Sequence, residues 1–82
     1  MEETMIIRPF PGTEGLTVRT LRVFKVIARE LDGRTGRVDY QFVADELGIE
    51  WNNVKYAVQA LVRAEVLQKE DGKLTVLKKL VL

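Results

Sequence analysis

Apolar positions in this chain follow two periods. A spacing of three and four runs through the middle of the sequence, and an alternation takes over near the end. Leu21, Phe24, Ile27, Ala28 and Leu31 share one broad face of a helix. Thr17 is a suitable N-cap, and Asp32-Gly33 supplies a C-cap glycine, so the spacing predicts a helix from Thr17 or Val18 to Leu31. Val23 and Val26 fall to one side of that face, either as the rim of the core or as an apolar ridge for dimerisation. Arg22, Lys25 and Arg29 form a basic stripe on another face, which reads first as solvated surface.

A second helix is expected over Tyr40–Leu47, with Asp39 as its N-cap. Phe42, Val43 and Leu47 are expected to face inward, and Asp45 and Glu46 outward. Gly48 breaks this helix with a sharp turn, where a positive φ favours glycine, and Ile49 tucks back beneath it. A third helix then runs from about Trp51 to about Ala64, its buried stripe made of Val54, Ala57, Val58, Leu61 and Val62. Between the first two helices lies the turn-rich segment Asp32-Gly33-Arg34-Thr35-Gly36-Arg37, followed by Val38 as a short strand or bridge.

From Val66 the period changes. Two strand-like runs flank Asp71-Gly72, a strong hairpin signal because a type I′ turn needs positive φ at both central residues. Leu67, Leu74 and Val76 are expected to cover the core, with Lys69, Glu70, Asp71 and Lys73 at an exposed tip. The two ends are less patterned. Residues 1–16 are expected to form an N-terminal arm, in which Met5-Ile6-Ile7 is the apolar run and Pro9 ends any strand. That arm reads as loosely ordered, or as pairing through residues 5–8 with a partner subunit or the sheet edge. The tail from Lys78 to Leu82 extends the last strand or pairs with the arm.

Composition narrows the chemistry. The 82 residues suit one small domain, residues 17–82, and 46% of them are hydrophobic. With neither cysteine nor histidine, disulfides, thiolate metal sites and the commonest general base are excluded. No phosphate-cradling glycine loop or paired-carboxylate cleft is recognisable, so no enzyme, metal, cofactor or small-molecule site is indicated. Thirteen Lys and Arg against twelve Asp and Glu give a net charge of +1, so any polyanion contact must come from a local arrangement of charge. No apolar run is long enough to span a bilayer and the acidic start is unlike a secretory signal, so a soluble, cytoplasmic chain without membrane contact is expected.

Ala44, Gly48 and Val54 follow a spacing found in helix-turn-helix proteins: a small residue, a glycine four later and a β-branched residue six after that. Val43, Leu47 and Ile49 fit as apolar supports. With the hairpin, this resembles the winged helix fold of small bacterial transcriptional regulators and of plasmid and phage replication or DNA-binding proteins. The resemblance covers roughly residues 18–77. It implies a mainly α fold, a three-helix bundle with a β-hairpin wing. Bacterial regulators often carry glycine at the position of Glu65, where helix gives way to wing.

The resemblance implies sequence-specific binding of double-stranded DNA, with the third helix in the major groove. Asn52, Tyr56, Gln59 and Arg63 lie opposite that helix's buried stripe, with Asn53 and Lys55 beside them. Asn and Gln suit adenine, Arg suits guanine, and Lys and Arg neutralise phosphate. Arg34, Arg37, Lys69 and Lys73 are the expected backbone contacts. Glu50 opposes phosphate at the helix start, though a carboxylate there suits the helix dipole and can cap it. Trp51 sits between the core and exposed sides and is expected to be chiefly a packing residue, with stacking on DNA as the alternative. A homodimer would double the site. The alternative is a protein-interaction module that uses the Val23/Val26 ridge and the C-terminal tail.

Overall fold

The computed structural model describes residues 16–78; the arm through residues 1–15 and the tail 79–82, with the strand pairings expected of them, lie outside the described residues. Three helices and one antiparallel hairpin follow in order: α1 Val18–Leu31, α2 Tyr40–Leu47, α3 Trp51–Arg63, β1 Leu67–Glu70 and β2 Lys73–Val76. No described helix is long and apolar enough to cross a membrane.

The Thr17 hydroxyl caps α1 by accepting the Thr20 backbone N–H at 3.1 Å. At the other end Asp32, not the expected Gly33, is the first left-handed residue, with φ 51°. Aspartate tolerates this conformation because its side chain is short and polar, and its N–H donates to the Ala28 carbonyl at 2.9 Å. Val23 and Val26 are 0% and 6% exposed, so they belong to the core and form neither rim nor ridge. The physical reason is that α1 packs against both α3 and α2, and two neighbours bury a wider arc than one.

In α2 the Asp39 carboxylate accepts the Gln41 N–H at 2.9 Å. Val43 and Ala44 are buried, and Leu47 packs on the core from its edge. Phe42 departs from expectation, being 42% exposed. At about 100° per residue it points about 150° from the centre of the face set by Tyr40, Val43, Ala44 and Leu47. Gly48 ends the helix at φ 67°, and both its N–H and that of Ile49 reach the Ala44 carbonyl. These two bonds to one carbonyl turn the chain sharply into α3, which packs on α2.

Val54, Ala57, Val58 and Leu61 are the buried stripe of α3, with Val62 half-buried at its margin. Each large aliphatic side chain here removes enough apolar surface from water to contribute about 1.5–3 kcal/mol. The helix exit turns on Glu65, which holds φ 62°, the conformation a glycine would supply. Val66 N–H then donates to the Leu61 carbonyl at 2.9 Å.

The hairpin pairs Leu67 with Val76 and Glu70 with Lys73, and turns through Asp71 and Gly72 at φ 54° and 77°. Leu67 and Leu74 seal the core, with Val76 packed beside them. The expected bridge at Val38 forms instead at Gly36, which exchanges backbone hydrogen bonds with Leu74 at 3.1 and 2.7 Å. The turn at Asp32 and Gly33 returns the chain to the sheet edge early, leaving Val38 to pack on the core.

Two glycine exchanges test these backbone assignments in opposite directions. Gly48→Ala forces a side chain into the left-handed region and is expected to cost about 1–2 kcal/mol. Glu65→Gly relieves the same constraint and is expected to raise the melting temperature by a few degrees, since about 1 kcal/mol moves a domain this size by about 4–8 °C. Thermal melts followed by circular dichroism check both signs.

Candidate nucleic-acid interface

Burial of Val54, Ala57, Val58 and Leu61 determines what α3 presents to solvent. At about 100° per residue, Asn52, Tyr56, Gln59 and Arg63 all fall within about 40° of the pole opposite that stripe. All four are exposed, and Tyr56 stands out at 58%. This crest holds no carboxylate. Asn53 turns about 90° away from it and is half-buried, so the structure separates it from the other four. Lys55 lies on the opposite flank, toward Trp51.

The remaining candidates divide between the two faces of the hairpin. Successive strand residues point to opposite sides. Lys69 therefore shares the face of buried Leu67 and Leu74, and its Nζ reaches 5.9 Å from the Tyr40 ring centroid. Lys73 is on the other face, with Thr75. Thr35 joins Thr75 there through a 2.7 Å hydroxyl–hydroxyl hydrogen bond. Arg37, two residues beyond Thr35, lays its guanidinium against Gly72 at the turn. Arg37 and Lys73 thus gather at the outer tip with Glu70 and Asp71, whereas Arg34 lies toward the other end of β2.

Charge pairing distinguishes Arg29, of the basic stripe of α1, from these groups. Arg29 donates to Glu30 at 3.2 Å and to Glu46 at 3.5 Å. Those bonds, Glu30 first and Glu46 second, hold its guanidinium above the ordinary value. Both pairs are exposed and contribute little stability, but they tie Arg29 to α2. Among the described residues, no ion pair engages Arg34, Arg37, Lys55, Arg63, Lys69 or Lys73. The described residues also contain no group of three carboxylates placed to hold a metal.

Trp51 is 43% exposed and lies outside the core cluster. Its ring centroid is 5.9 Å from that of Tyr40, tilted by 45°. Lys55 Nζ sits 5.9 Å from the Trp51 ring. The pair borders an open groove of about 450 Å³ between α3 and β1, which Lys55, Gln59, Arg63 and Lys69 also line. No local pattern announces this pair, because Tyr40 opens α2 at the end remote from the Gly48 turn and meets Trp51 only through the packing of α3 on α2.

No protein-family model, curated protein or solved structure matches this chain.

Glu50 occupies the N-cap of α3, yet its side chain makes no capping hydrogen bond. Glu50→Ser supplies an oxygen of the right reach and is expected to stabilise the domain by roughly 0.5–1 kcal/mol. A melting temperature that is unchanged or lower would show that Glu50 already satisfies the helix start in solution.

Proposed function

We propose that this chain is a winged helix-turn-helix protein that binds double-stranded DNA sequence-specifically through α3. In this reading α2, Gly48 and α3 are the helix-turn-helix and the β1–β2 hairpin is the wing. Its role is that of a transcriptional regulator or a DNA-binding accessory of a mobile element. The observation that carries the reading is the α3 crest: Asn52, Tyr56, Gln59 and Arg63 are exposed together on a helix whose opposite side is fully committed to the core.

The chemistry of the crest suits base edges. Asn52 and Gln59 each offer a donor and an acceptor, the pairing adenine presents in the major groove, and Arg63 offers the fork that guanine accepts. Asn52 to Arg63 spans about 16 Å of helix, close to five base-pair steps of about 3.4 Å. Tyr56 leaves most of its ring in water, a cost that contact with sugar, phosphate or a thymine methyl would relieve. Arg37 and Lys73 supply phosphate contacts from the outer tip of the wing, and Lys55 and Lys69 from the groove side. The rival reading, a protein-interaction module, is weakened because the Val23/Val26 ridge it relied on lies in the core.

Base reading and phosphate attraction are separable by mutation. Replacing Asn52, Gln59 and Arg63 together by Ala is expected to leave the circular dichroism spectrum unchanged and to abolish preference among duplex sequences. Replacing Arg37 and Lys73 by Ala is expected to weaken binding to all duplexes alike. It should also flatten the dependence of log affinity on log salt by nearly 2, about 0.9 for each phosphate contact. Absence of salt-dependent binding to any duplex at low ionic strength would overturn the reading.

A further inference from the structure

We infer that the groove between α3 and β1 seats an unpaired nucleotide of a single-stranded nucleic acid, with the base against Trp51 and Tyr40 and its phosphates on Lys55, Arg63 and Lys69. This goes beyond duplex binding: the groove shares Lys55, Arg63 and Lys69 with that reading, but its aromatic half, Tyr40 and Trp51, takes no part in the α3 crest.

Three observations converge on this ligand. The first is the aromatic pair. The ring centroids of Trp51 and Tyr40 lie 5.9 Å apart, and Trp51 keeps 43% of its surface in solvent. The second is charge. Lys55 and Lys69 each hold an ammonium 5.9 Å from one of the two rings, Arg63 lines the same groove, and no carboxylate does. None of the three cations is engaged in an ion pair among the described residues. The third is size. About 450 Å³ falls within the range of clefts that hold small ligands, roughly 300–1,000 Å³.

A duplex offers this groove only phosphates, because its base faces are stacked out of reach. An unpaired nucleotide offers both a planar π-face and adjacent anions, which is the combination that stacking platforms in single-strand binders use. The two lysines now rest over the rings, so a base entering the groove displaces ammonium from aromatic face to phosphate. Each lysine then exchanges one favourable contact for another of opposite charge. An acidic peptide would satisfy the cations but leave the rings unused. The commitment to a nucleotide therefore stands on the aromatic half of the site.

Trp51 is the chain's single tryptophan and reports directly on its own groove. Titration with a deoxythymidine ten-mer at about 50 mM salt is expected to quench its fluorescence, and a uridine ten-mer distinguishes DNA from RNA as the preferred source. In anisotropy measurements with labelled ten-mers, Trp51→Ala is expected to weaken binding by about 5- to 150-fold, the loss of one base–aromatic stack. Trp51→Phe, which keeps a ring, should retain most of the affinity. Asn52→Ala with Tyr56→Ala should leave ten-mer binding intact while weakening duplex binding, so the two surfaces are read separately. The inference is overturned if saturating ten-mer leaves the fluorescence unmoved, if Trp51→Ala binds the ten-mer as the wild type does, or if a poly-glutamate peptide quenches equally. A wild-type chain that binds the ten-mer but no duplex would count against the duplex reading alone.

Discussion

What α3 exposes depends on how that helix is buried. Val54, Ala57, Val58 and Leu61 commit one side of a 13-residue helix to α1 and α2. Helical geometry then leaves no freedom about what faces outward: Asn52, Tyr56, Gln59 and Arg63 form the crest, Lys55 and Trp51 one flank, and Asn53 the other. The Gly48 turn delivers that helix across α2, and the Glu65 turn sends the chain into the hairpin that closes the groove. Moving the buried stripe by one position would rotate each polar group by about 100° and dismantle the crest.

The same packing explains which parts of the fold were legible in the sequence. Thr17, Asp39 and Gly48 announced helix boundaries, and Asp71-Gly72 announced the hairpin, because caps and tight turns are satisfied by residues a few positions away. Val23, Val26 and Phe42 were misplaced because their burial depends on how many neighbours each helix has. Periodicity indicates one apolar face for α1, yet two helices pack on it, and α2 leaves Phe42 in solvent. The Gly36 bridge was misassigned to Val38 for a similar reason, since it depends on where a loop returns to a sheet edge. Glu65 carries no signature of its left-handed conformation, because glutamate seldom adopts it.

The candidate interface was legible in part. The α3 crest follows from periodicity alone, and four of the six α3 residues named from the sequence share it. The hairpin cations required the register: only pairing of Lys69 with Leu74 shows that Lys69 turns toward the groove while Lys73 joins Arg37 at the outer tip. Near-neutral net charge also resolves into local differences. Arg29 is tied to Glu30 and Glu46 on the α1–α2 side, whereas the groove between α3 and β1 has three cations and no carboxylate in its lining. A balanced total therefore coexists with a basic, aromatic-lined groove.

Reading of duplex sequence by the α3 crest, as proposed, is open to a direct test. Selection of bound molecules from a random duplex pool, repeated at low and moderate salt, tests it most directly. The expected result is enrichment of a short motif, about four to six base pairs per site, that sharpens as salt rises and non-specific phosphate binding weakens. A pool that stays random at both salt concentrations would contradict it.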